Sequence, residues 1–262
     1  MTASCVGPED RDAAAPRGRV SQLGNNSSSG AYPAFLLTMV TVERVDEAFR
    51  AFVGTPDFPC LAGKGAVRQG GCSIGIYGTL GETDRATDTA TTLARDLAIF
   101  AAQPLPTGPG FVTFAAVFPD LETSSEDEFE RRLWAQLELL HNLDDPSAGW
   151  DPTVSSDPED ARFSFSFGGR AFFVVGLHPK SSRIARRFQW PTLIFNPQAQ
   201  FTRLRADGRF GKLRAAIRDR EVALQGSLNP NLADFGEMSE ARQYSGREAE
   251  TDWRCPFNHT AP

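Results

Sequence analysis

The stretch Arg162 to Leu177, reading RFSFSFGGRAFFVVGL, constrains the fold more than any other part of the chain. It predicts two aromatic-rich strands joined at Gly168-Gly169, because paired glycines supply the backbone conformations that a tight hairpin needs. Such a hairpin cannot stand alone in water, so the remaining elements must cover it.

Those elements follow from hydrophobic spacing. Val45, Ala48, Phe49, Phe52 and Val53 recur at helical intervals and predict a short amphipathic helix running into Phe58-Pro59-Cys60. Cys72 to Leu80 reads as an irregular strand, since Gly75, Gly78 and Gly81 interrupt it. Arg85 to Ala102 predicts a helix with Leu93, Leu97 and Phe100 on one side, and Phe111 to Phe118 a buried strand. Ser125 and Glu128 form a capping box that opens a helix bearing Phe129, Leu133, Trp134, Leu137 and Leu140. Asp144 to Asp160, with Pro146, Pro152 and Pro158 among acidic residues, reads as an exposed irregular loop. Thr192 to Asn196 adds a short strand, and Arg209 to Leu224 a final helix. The order lacks a βαβαβ alternation and predicts an α+β domain on a largely antiparallel sheet, with the Phe-rich hairpin at its centre and helices flanking it.

Composition matters chiefly for what it excludes. The 262 residues with 40% apolar content suffice for one core. We read 1–30 as a disordered leader and 31–262 as a single domain. The uncharged run from Leu97 to Pro119 is broken by Pro104, Pro106, Gly108, Pro109 and Gly110, and residues 1–30 hold no apolar secretory segment, so neither a membrane span nor export is expected. Four scattered cysteines are too few for a disulfide scaffold, which makes the cytoplasm the default compartment. Cys5 reads as incidental. No dinucleotide fingerprint or Walker loop follows a predicted strand.

The charge is unevenly placed. The net value is −6, yet His178 to Arg220 holds eleven basic and two acidic residues, a local +9 against −15 elsewhere. Asp120 to Asp160 alone carries −11. Solvated faces of opposite sign account for part of this. A bound anion is the sharper reading, with Arg183, Arg186 and Arg187 offering planar forks to carboxylates. Nucleic acid is disfavoured because apolar Leu193, Ile194 and Phe195 interrupt the basic stretch.

Three segments carry candidate chemistry. His178, one of three histidines, follows the second hairpin strand, where Pro179 stops the strand and leaves the imidazole at the sheet rim. Cys60 follows Pro59 and lies near Lys64, whose charge could stabilise a thiolate. Cys255 and His259 have the spacing of a metal pair, but no second pair completes a zinc site.

Taken together, these segments resemble the YqcI/YcgG family from about Val45 onward. The resemblance rests on Phe58-Pro59-Cys60; on His178-Pro179, Ser181-Ser182-Arg183 and Arg186-Arg187-Phe188; on Pro191 to Asn196 with Gln200-Phe201; and on Tyr244-Ser245-Gly246 with Trp253, Cys255, Pro256 and Phe257. Gln198 departs from it, standing where histidine is expected in many relatives. The resemblance implies a haem-dependent oxygenase that N-hydroxylates a free amino acid, amine or guanidine, using haem b, O2 and an external electron donor, in a natural-product pathway. It implies an axial ligand from His178, which the reading prefers, or from Cys60, whose thiolate would favour O–O cleavage. Arg183, Arg186, Arg187, Ser181, Ser182 and Lys64 are then the cofactor-binding candidates, and the acidic segment from Asp120 would offer carboxylates to a cationic substrate. A non-catalytic carrier of haem or another small anion is the alternative.

Overall fold

The computed structural model describes residues 40–81 and 83–257. The expected leader, Cys5 and His259 lie outside the described residues. Within them the chain runs α1 (Val42–Gly54), α2 (Leu61–Arg68), β1 (Cys72–Ile76), α3 (Thr83–Ala102), β2 (Thr113–Val117), α4 (Glu126–Leu143), β3 (Phe165–Phe167), β4 (Arg170–Leu177), β5 (Thr192–Pro197), α5 (Gln198–Ala206), α6 (Phe210–Gln225) and α7 (Ala241–Tyr244). The fold is α+β, and its sheet has the order β1-β2-β5-β4-β3. The β1–β2 pair is parallel and the other three pairings are antiparallel, so the sheet is mixed, though mostly antiparallel.

The hairpin turns at Gly168-Gly169 with φ of 58° and 70°. Two successive positive φ values belong to the turn whose twist matches that of the strands it joins. Asp144, just past α4, accepts the Gly168 N–H and ties the turn to that helix.

Side-chain alternation along the strands divides the core in two. Phe172 and Val174 of β4, Leu193 and Phe195 of β5, and Phe114 and Ala116 of β2 pack with Leu93 and Leu97 of α3 and Phe129, Leu133 and Leu137 of α4. The intervening residues, Leu177, Ala115 and Val117, face the other way and meet Val45, Phe49 and Val53 of α1 with Phe188. Gly176 allows the close packing of α4, since a Cβ there would stand 2.5 Å from the Phe129 ring. Ser125 caps α4 as expected, accepting from Glu128 N, while the Glu128 carboxylate binds Ser124 N–H and hydroxyl.

Several expectations are modified. The Phe-rich hairpin forms one edge of the sheet rather than its centre, which β5 occupies, because β3 pairs only with β4. The segment from Asp144 to Asp160 is irregular but docked: Val154 is buried, Trp150 packs against the core, and Asp151 accepts the Ala171 N–H. Three helices were not expected, α2, α5 and the four-residue α7. α2 contains two glycines and buries only Ala62, Lys64 and Ala66, too little apolar bulk to show a period. α5 is mostly polar and begins at Gln198, directly after Pro197 ends β5.

Candidate functional site

Beside α1, the face of the sheet formed by β4 and β5 is left open, and a cleft of two chambers occupies it. Their volumes are about 210 Å³ and about 250 Å³. They share Cys60, Phe173, Val175, Asn196, Ile217 and Gln243, so they are one continuous space. Phe173, Val175 and Asn196 are the sheet floor. Cys60, at the start of α2, is the side wall, and α6 is the roof.

The roof is unusual for a helix of its length, because none of its 16 residues is buried. Its underside, Leu213 and Ile217, faces the cleft in place of a packed core. Polar ties at the margins hold it. Glu221 pairs with Arg183 at 2.6 Å, Arg214 and Arg218 both reach Asp234, Arg220 donates to the carbonyls of Pro56 and Phe58, and Gln225 accepts the Ile184 N–H.

The predicted residues divide sharply around this cleft. Cys60 lines both chambers. It is the N-cap of α2, and its Sγ accepts the Gly63 N–H at 3.3 Å. Desolvation pushes its thiol pKa up, and the Gly63 and Ala62 amides and the Arg186 charge oppose that rise. Arg183 and Arg186 line the first chamber. Arg183 Nε is a buried donor with no partner. Arg186 donates to the carbonyls of Gly176, Gln243 and Tyr244, and Gly246, at φ of 86°, gives its side chain room.

Other candidates stand away from the cleft. His178 is fully buried and stacks on Phe129 of α4 at 4.2 Å, on the opposite side of the sheet. Strand parity explains this placement. Phe173, Val175 and Leu177 face the cleft, so residues of even number in β4, and His178 after them, face α4. Both its ring nitrogens are unpartnered, and burial pushes its pKa down to about 4. Arg187 donates to the carbonyls of Ser181 and Ser182, and Ser182 donates to Glu126, so these three hold the loop after β4. Lys64 donates to the carbonyls of Thr55 and Pro56, bracing the turn before Cys60.

The cleft also contains residues that the sequence did not single out. Glu240, the N-cap of α7, is buried on the wall of the second chamber. Its carboxylate accepts from Ser164 at 2.6 Å, Tyr244 at 2.8 Å and Gln198 at 2.6 Å. Desolvation outweighs these bonds and raises its pKa to about 7. Arg205 of α5 lines the same chamber. The carboxylates nearest the cleft are therefore Glu221, Asp234 and Glu240, rather than residues of the acidic segment from Asp120.

A model of the YqcI/YcgG family matches residues 49–258. The chain belongs to the YqcI/YcgG family. The uncharacterised proteins YcgG and YqcI of Bacillus subtilis (strain 168) are similar to it. YcgG is 27% identical over 212 residues, covering 77% of this chain and 81% of the relative. YqcI is 28% identical over 210 residues, covering 76% and 80%. No solved structure matches the chain. The family match takes in every cleft residue named above, from Cys60 to Gln243. Among the described residues of this YqcI/YcgG member, no group of three or more metal-ligating side chains is assembled, and no helix is long and apolar enough to cross a membrane.

Proposed function

We propose that this YqcI/YcgG protein is a haem-dependent oxygenase that N-hydroxylates a free amino acid or a related amine or guanidine. The observation that carries the reading is Cys60: a thiol at a helix N-terminus, opening onto a cleft whose walls are largely apolar. Haem needs one axial ligand rather than a ligand cluster, an apolar bed for its plane and donors for its propionates. Phe173, Val175, Ile217 and Leu232 suit the bed. Arg183, whose buried Nε lacks a partner, and neighbouring Arg186 suit the propionates.

The fit favours Cys60 over His178 as the axial ligand. His178 is walled off by the sheet, whereas the Gly63 amide already points at the Cys60 sulfur. Coordination would deprotonate this thiol outright, and the helix N-terminus would stabilise the resulting charge. Bound haem would supply activation of O2, with electrons from an external donor. Cys60, Cys72 and Cys255 are free thiols, which supports a cytoplasmic protein.

The test is the visible spectrum of protein purified with iron and a haem precursor supplied. A Soret band, with a ferrous-CO complex of the thiolate type, is expected. Its absence would remove the proposal. Haem without oxygen consumption across a panel of amines would favour a carrier instead.

A further inference from the structure

The second chamber contains an arginine and a carboxyl group that do not pair by contact, and an incoming cation would favour the ionised form of that carboxyl. The Arg205 guanidinium makes no hydrogen bond or ion pair among the described residues, although the Arg205 carbonyl accepts the Gly208 N–H in the turn that ends α5. Its guanidinium carbon instead lies 4.6 Å from the Phe210 ring centroid and 5.1 Å from that of Phe235. A cation–π contact uses none of the guanidinium N–H donors as hydrogen bonds, and those donors match a carboxylate's two oxygens. Glu240, which lines the same chamber, has two donors on Oε1 and one on Oε2. An ionised carboxylate has about four acceptor positions, so one remains open on Oε2. Burial lowers the Arg205 pKa and the nearby Glu240 charge opposes that change, which places the two within electrostatic reach. The floor between them is apolar, with Phe173 and Val175.

We propose that Arg205 and Glu240 form a head-group subsite for a free α-amino acid, with Arg205 binding the carboxylate and Glu240 the ammonium. This rests on the amino-acid branch of the proposed function and assigns it two specificity residues. A zwitterion satisfies both free valences without adding net charge to a low-dielectric space. A simple amine or a simple acid leaves one of them unpaired, and that asymmetry is the source of discrimination.

The experiment is calorimetric titration, without O2 or reductant, of haem-loaded and haem-free protein. The ligands are L-arginine, agmatine and Nα-acetyl-L-arginine, with L-lysine, cadaverine and Nα-acetyl-L-lysine as a second series. Loss of either head-group charge should weaken binding by about tenfold or more. Arg205→Met should abolish the preference for the amino acid over the decarboxylated amine while retaining the penalty for acetylation. Glu240→Gln should do the reverse, and both variants should retain the parent's haem content. A variant that keeps the parent's full set of preferences would overturn the assignment, as would binding of none of these ligands. Loss of haem in Arg205→Met would also overturn it, by showing that Arg205 serves a propionate. Charge-dependent binding to a protein that takes up no haem would sink the oxygenase reading and leave the subsite standing.

Discussion

Single glutamine replacements of His178 and Glu240 should reveal two opposed pH dependences of stability. Burial, with a smaller contribution from Arg186, lowers His178 from 6.5 to about 4. Burial raises Glu240 from 4.5 to about 7. Folded His178 stays neutral where the unfolded chain would protonate, so its contribution is present above pH 6.5 and lost as pH falls toward 4. Folded Glu240 keeps its proton where the unfolded chain has released it. Its contribution is present below pH 4.5 and lost as pH rises through about 7. Across pH 4.5 to 6.5 each residue alone changes stability by ~2 kcal/mol, with opposite signs, and the two largely cancel in the unmodified protein. His178→Gln should therefore leave a stability that falls with pH, relative to the parent. Glu240→Gln should leave one that rises. Urea unfolding of parent and variants at several pH values across this window measures both, because other titrating groups cancel in the difference. Variant curves parallel to the parent's would refute the burial argument for that residue.

Three further outcomes follow from contacts at single positions. Cys60→Ala should abolish the thiolate-type ferrous-CO spectrum, and His178→Ala should leave its position unchanged; the reverse pattern would return the ligand role to His178. Gly176→Ala should destabilise the fold by about 1–3 kcal/mol in urea unfolding, since the new methyl would stand 2.5 Å from the Phe129 ring and 3.0 Å from Leu133, both fully buried. Gly246→Ala combines a φ of 86° with a Cβ that would stand 2.5 Å from Arg186 Cδ, so it should lower haem content through Arg186 as well as cost stability. Equal haem content in Gly246→Ala and parent would show that Arg186 does not hold the group.

The hairpin and the α4 cap were legible because their signals are local. Two glycines with positive φ, or a serine three residues before a glutamate, determine their geometry regardless of what packs around them. α2 and α5 were not, because each is held by its place in the fold rather than by an apolar stripe of its own. Cys60, Arg183 and Arg186 were found by residue type and spacing, and they do meet in one chamber. His178 was found by the same reasoning, yet parity along β4 sends it behind the sheet, a fact available only once the cleft face is known. Glu240 and Arg205 lie 35 positions apart in segments with no motif, and only the closing of α7 and α5 around the second chamber joins them.

The local +9 has a different meaning once the partners are known. Arg186, Arg187, Arg203 and Arg220 donate to backbone carbonyls, and Arg183, Arg209, Arg214 and Arg218 pair with acids outside the strongly acidic segment. The basic stretch is thus largely structural mortar around a roof helix that has no core of its own. Of the four carbonyl-bound arginines only Arg186 lines the cleft, and because carbonyl oxygens accept without cancelling charge it remains a cation there. A ligand suited to this cleft would set apolar surface on Phe173, Val175 and Ile217 and an anionic group beside Arg186. By burying the underside of α6, it would also supply the packing that this helix lacks.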